Sequence, residues 1–132
     1  MTDSFTDEEL AFLRTVFDMA RDGSTEELLD VVGRGVPVNL TNGTGDTLLI
    51  LAAYHDHPDT VRGLLAVGAD PERVNDRGQT ALGAAVFRRS EPSVRALLAA
   101  GADPHSGTRS AIEIAEFFQL GEMRALLRER TP

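Results

Sequence analysis

The sequence predicts an all-α fold, a solenoid of about four helix-turn-helix units with capping ends. Three observations carry this prediction. The chain has a period of 33 residues, apolar residues at helical spacing within each period, and Gly and Pro at the joints. A fixed period of this size is the signature of stacked supersecondary units. The length of 132 residues suits one domain with a real core.

A shift of 33 residues aligns Asn42, Gly45, Thr47, Leu49 and Ala52 with Asn75, Gly78, Thr80, Leu82 and Ala85. It also aligns Val61, Arg62, Leu64, Leu65 and Ala66 with Val94, Arg95, Leu97, Leu98 and Ala99. Residues 68–71 and 101–104 both read Gly-Ala-Asp-Pro, making 14 identities in 33 positions. Backwards, Leu28, Val31, Val32 and Gly35 precede Val61, Leu64, Leu65 and Gly68 by the same interval. Forwards, residues 110–115 resemble residues 80–85 at a spacing of 30. The expected organisation is one domain over residues 1–132, with units at about 5–41, 42–74, 75–106 and 107–132. The outer two are irregular, as the ends of a stack should be.

Each unit reads as two helices. In the third, residues 81–88 are rich in small apolar side chains, which lets neighbouring backbones approach closely. Residues 93–100 carry Val94, Leu97 and Leu98, an i, i+3, i+4 stripe for one buried face. Gly101 then follows, able to take the left-handed conformation that satisfies the last carbonyls. Pro104 cannot continue a helix. The second unit repeats this with Val61, Leu64, Leu65, Gly68 and Pro71. Pro58 and Pro92 are placed near the starts of second helices, where a missing N–H costs little. Thr6 with Glu9, and Ser24 with Glu27, have capping-box spacing. Phe5, Phe12 and Phe17 are assigned to an N-terminal helix that caps the core.

Composition narrows the function. The chain has 21 acidic residues against 13 basic ones, all Arg, for a formal charge of -8. That balance argues against wrapping a phosphate backbone, so no nucleic-acid partner is expected. The absence of Cys excludes disulfides, thiolate ligands and a cysteine nucleophile. The N-terminus is acidic and polar, unlike a signal peptide. Its longest apolar run, residues 48–54, is too short to span a bilayer. A soluble, cytoplasmic protein without a membrane partner is expected.

The repeat residues resemble those of ankyrin-repeat proteins. That family's pattern is a turn, then G-x-T-P-L-H-x-A-A, a second helix with V-x-x-L-L, and G-A-D. Here the pattern stands as Gly45, Thr47, Leu48, Leu49, Ile50, Ala52 and Ala53, and as Gly78, Thr80, Ala81, Leu82, Gly83 and Ala85. The resemblance runs from about Phe12 onward and is closest to small stand-alone bacterial proteins of the type. The family Pro is Leu48 and Ala81, and the family His is Ile50 and Gly83, so the usual Thr–His bond between units is missing. The resemblance implies a protein that binds other proteins, with contacts from the turn tips and the exposed side of the first helices, a concave surface. It also implies that His57, at a helix–helix turn, bonds backbone groups.

Carried over position by position, the tips are Gly43, Thr44 and Asp46, then Asp76, Arg77 and Gln79, with Arg109 in the fourth unit. The first helices expose Tyr54 and His55, Phe87 and Arg88, Phe117 and Phe118. Four of the seven aromatics therefore fall on one predicted surface. An exposed aromatic ladder is costly unless something covers it. Aromatics with Arg are the composition of interface hot spots. Residues 1–34 hold nine acids and three Arg, whereas residues 72–109 hold six Arg and four acids. The expected binding residues are Tyr54, His55, Asp76, Arg77, Phe87, Arg88, Arg109, Phe117 and Phe118, facing an acidic or apolar partner protein. Two intramolecular uses compete: Phe117 or Phe118 as a cover for the end of the core, and Tyr54 packed on Phe87.

Other signals are weak. The segment from His55 to Asp59 resembles a metal cluster, but i and i+2 point apart on a helix and zinc needs three or four converging ligands. His105 is read as solvated. Phosphate-loop and nucleophile-elbow motifs are missing, so no catalytic, cofactor or metal residue is assigned and an enzyme is not expected. The preferred function is a module that binds and regulates or stabilises a partner protein, monomeric when free. The alternatives are a structural component that forms oligomers, and a metal-binding protein or enzyme.

Overall fold

The computed structural model describes residues 5–129. The last three residues of the expected fourth unit, 130–132, lie outside them. Among the described residues the chain forms α1 (Asp7–Asp22), α2 (Thr25–Gly33), α3 (Leu48–Tyr54), α4 (Pro58–Ala66), α5 (Ala81–Phe87), α6 (Glu91–Ala99), α7 (Ala111–Phe117) and α8 (Gly121–Glu129). No strand forms there; an isolated antiparallel bridge joins Thr41 to Thr47. α1, α3, α5 and α7 pack side by side in one row, and α2, α4, α6 and α8 form a second row behind it. This is the all-α repeat architecture that the period predicts.

The first helices start where the sequence says they should. Thr47 and Thr80 cap α3 and α5, their hydroxyls accepting from the Ile50 and Gly83 amides at 3.0 Å. Thr6 and Glu9 form the expected capping box on α1. Ser110 and Glu113 form another on α7, from a spacing that the sequence reading passed over. The second helices start differently. Ser24 does not cap α2 through its side chain, which corrects the expected Ser24–Glu27 box. Its backbone explains why: ψ is 70°, far from the 160–167° at the capping Thr and Ser residues. α6 begins at Glu91, earlier than expected, with Pro92 in its first turn; Pro58 opens α4. Gly68 and Gly101 adopt positive φ just past α4 and α6, and the following amides return to Leu64 and Leu97 carbonyls.

One core runs the length of the stack. Leu49, Leu64, Leu82, Leu97 and Leu127 are almost completely buried, each contributing about 1.5–3 kcal/mol of hydrophobic stabilisation. Ala52, Ala53, Ala84 and Ala85 let α3 and α5 lie close. At the N-terminal end only part of the aromatic cap exists. Phe17 is buried, with Val16 and Ala20. Phe12 is exposed, and Phe5 is exposed and precedes α1 rather than lying in it. The reason is length: α1 has 16 residues where α3, α5 and α7 have seven, so its first turns extend beyond the stack. There Phe5, Phe12 and Leu13 line a shallow depression with Glu8 and Glu9.

Candidate binding surface

The turns before α3 and α5 are built alike. Asn42 Oδ1 accepts from the Thr44 and Asp46 amides, and Asn75 Oδ1 accepts from the Arg77 and Gln79 amides. Gly45 and Gly78 both sit at φ 79°. A side chain on Gly45 would collide with Asp76, and one on Gly78 with Thr108, so glycine lets successive turns touch. The Asp76 amide donates to Thr44 O at 3.0 Å across that contact. Asp46 departs from its expected place as an exposed tip. It is buried, accepting from Thr44 Oγ1 at 2.8 Å and from Asn75 Nδ2 at 2.8 Å. Gln79 is half-buried and accepts from Asn75. Asp76, Arg77 and Arg109 remain exposed.

Tyr54, Phe87 and Phe117 end α3, α5 and α7, and His55, Arg88 and Phe118 are the next residues. The rings form one continuous ladder. Tyr54 stacks parallel to Phe87 at 6.2 Å; Phe87 meets Phe118 edge to face at 5.7 Å; Phe118 meets Phe117 at 4.9 Å. His55 adds an edge contact on Tyr54 at 5.3 Å. Tyr54, Phe87 and Phe118 stay 42–45% exposed and Phe117 80% exposed. Neither Phe117 nor Phe118 therefore covers the end of the core, which Met123, Leu126 and Leu127 close instead. Tyr54 does pack on Phe87, yet both keep a large free area.

A groove of about 760 Å³ opens beside the ladder. Tyr54, Phe87, Phe117 and Phe118 line it towards the helix ends, Gln79, Thr108 and Arg109 towards the turns, and Gly83 and Ile114 between. Glu113 and Glu116 line it as well, which corrects the picture of a purely basic aromatic patch. Glu113 is engaged: its carboxylate accepts from the Ser110 amide at 3.0 Å. That bond, with the Ser110 hydroxyl, holds the carboxyl below the ordinary carboxylate value. His55 is also held below its ordinary value, first by burial and then by the positive charge of Arg21, His57 and Arg88.

The arginines divide by location. Arg21, Arg34, Arg62, Arg73 and Arg95 each pair with a carboxylate three or four residues earlier. Arg77, Arg88, Arg89 and Arg109, around the aromatic ladder and its turns, make no ion pair among the described residues. The His55–Asp59 segment does not act as a unit. His57 bonds Arg21 O through Nε2 at 2.7 Å, tying the second helix pair to the first, as the resemblance implied. His55 turns to Tyr54 instead. His105 is exposed, and its amide donates to Asp103. No three His, Asp or Glu side chains among the described residues converge as a metal ion would need.

Two rows of short helices, joined by repeated hydrogen-bonded turns, define a helical repeat protein. The comparisons narrow the class. A family model described as "Ankyrin repeats (3 copies)" matches residues 16–108. The chain belongs to the ankyrin-repeat family. It is 49% identical over 51 residues to an ankyrin repeat protein of Pseudomonas aeruginosa, covering 39% of this chain and 30% of the relative. The crystal structure of the human ASB11 ankyrin repeat domain superposes with a TM-score of 0.79 at 26% identity, over 89% of this chain and 54% of that one. The chain thus spans about a third of the bacterial relative and about half of the human domain. Ankyrin repeats are protein–protein interaction modules. No helix among the described residues is long and apolar enough to cross a membrane.

Proposed function

We propose that this protein is a single interaction domain that binds a partner protein through its concave face and regulates or stabilises it. The aromatic ladder carries the reading. Four rings are held in a fixed row across three helix pairs and left partly bare. An apolar patch of this kind marks an interaction site. The rings are already ordered by one another, so little side-chain freedom is lost on docking. The arginines without ion pairs favour a partner with acidic groups around its apolar contact. The binding residues are Tyr54, His55, Asp76, Arg77, Phe87, Arg88, Arg109, Phe117 and Phe118.

The test is recovery of the partner from the native cell by the tagged wild-type chain, beside Phe87→Ala and Arg88→Glu. Both positions are exposed, so the fold should survive. Loss of a specific partner in both variants is the expected result. Equal recovery by all three proteins would overturn the proposal.

A further inference from the structure

The groove exists because of one residue. Position 83 is equivalent to position 50, one period earlier. Ile50 is buried there, part of the core between α3 and α5. Gly83 has no side chain to place between α5 and α7. A Cβ at Gly83 would lie 3.2 Å from Ile114 Cδ1 and 3.4 Å from Arg109 O, so the missing side chain would point into the lined space. Helix propensity does not account for a glycine here, because Gly inside a helix is unfavourable relative to Ala.

The surroundings say what fits. The floor and one end are apolar, from Ile114 and the ladder, and Arg109 stands at the turn end with no carboxylate on it. We propose that the vacancy at Gly83 is the anchor pocket of the binding face. It takes a large aliphatic or aromatic side chain from a peptide segment of the partner, with Asp or Glu beside that anchor to meet Arg109. A groove of this volume lies in the range of sites that enclose a compact group. The proposal rests on the concave-face reading and adds the partner's local chemistry to it.

The experiment is selection from a random-peptide display library against the purified chain, followed by affinity measurement on synthetic peptides from the consensus. The expected consensus has one large apolar residue flanked by Asp or Glu. Gly83→Leu fills the space and should weaken binding about tenfold or more, as loss of a hot-spot contact does. Circular dichroism checks that this variant folds. Arg109→Glu, on the surface, serves as the second arm and should exchange the preference for acids for one for Lys or Arg. A consensus without a common apolar residue, basic flanks for the wild type, affinity unmoved by Gly83→Leu, or no enrichment over an unrelated protein would each overturn the proposal. The native partner separates the two levels. Recovery lost in Phe87→Ala but kept in Gly83→Leu overturns the pocket alone, whereas recovery kept in both overturns the concave-face reading too.

Discussion

Asn75 Nδ2 donates to Asp46 Oδ1 at 2.8 Å, joining the turn before α5 to the turn before α3, and both side chains are buried. Asp46 also holds Thr44, and Asn75 holds its own turn through the Arg77 and Gln79 amides. This bond does the tying that Ile50 and Gly83, in place of the family His, leave undone. Removing either partner strands a buried polar group. Asp46→Ala and Asn75→Ala should each cost about 1–3 kcal/mol. The double variant should lose clearly less than the sum, because the two groups touch. Urea unfolding of the four proteins measures this, and strict additivity would show that the bond contributes little.

Leu64 and Leu97 occupy the same place in α4 and α6 and are both fully buried. Each change to Ala should cost about 2–5 kcal/mol, the range for buried leucines. Leu65 is only half-buried, so Leu65→Ala should cost less than Leu64→Ala. A melting temperature moved more by the Leu65 change would mean that the buried face of α4 is misassigned.

The fold was legible because its causes are local and repeated. Thr47, Thr80, Gly68 and Gly101 announce helix starts and ends by chemistry that needs no distant partner. The aromatic row was legible for the same reason: Tyr54 and Phe87 lie 33 residues apart, and Phe117 lies 30 beyond Phe87. What failed depended on geometry between units. Asp46 has the sequence position of an exposed tip and turns inward only because the next turn places Asn75 within reach. Phe12 has the periodicity of a core residue but lies where α1 outruns the stack, while Phe17, five residues later, is buried. Gly83 was visible as a departure from the family pattern. Only the helix spacing shows that it opens a groove.

Glu113 offers a pH test. Its folded pKa is depressed, chiefly by the Ser110 backbone N–H and then by the Ser110 hydroxyl. In acid the unfolded chain therefore takes up this proton before the folded one does. The stabilisation is present above the ordinary carboxylate value and is lost as pH falls through the folded value. Gln can keep the capping bonds but lacks the charge. The melting-temperature gap between wild type and Glu113→Gln should be small, widest near neutral pH and closed in acid. A gap constant across that range would rule out the charge as its source.

Arg89 carries the last prediction. Gly23, Asp56, Arg89 and Gln119 hold equivalent places after the first helices, at φ 75°, 61°, 57° and 57°. Only the first is glycine, the residue that this left-handed conformation favours. A residue with a Cβ is disfavoured there by about 1–2 kcal/mol, with Asp among the better tolerated because its short side chain can bond locally. Glycine also loses more freedom on folding, which offsets part of the relief. Arg89→Gly should therefore raise stability by about 1 kcal/mol at most. Asp56→Gly should gain less. The denaturant midpoint should rise in that order with an unchanged slope. A larger gain at Asp56 would mean that contacts of the side chains, not backbone strain, set the difference.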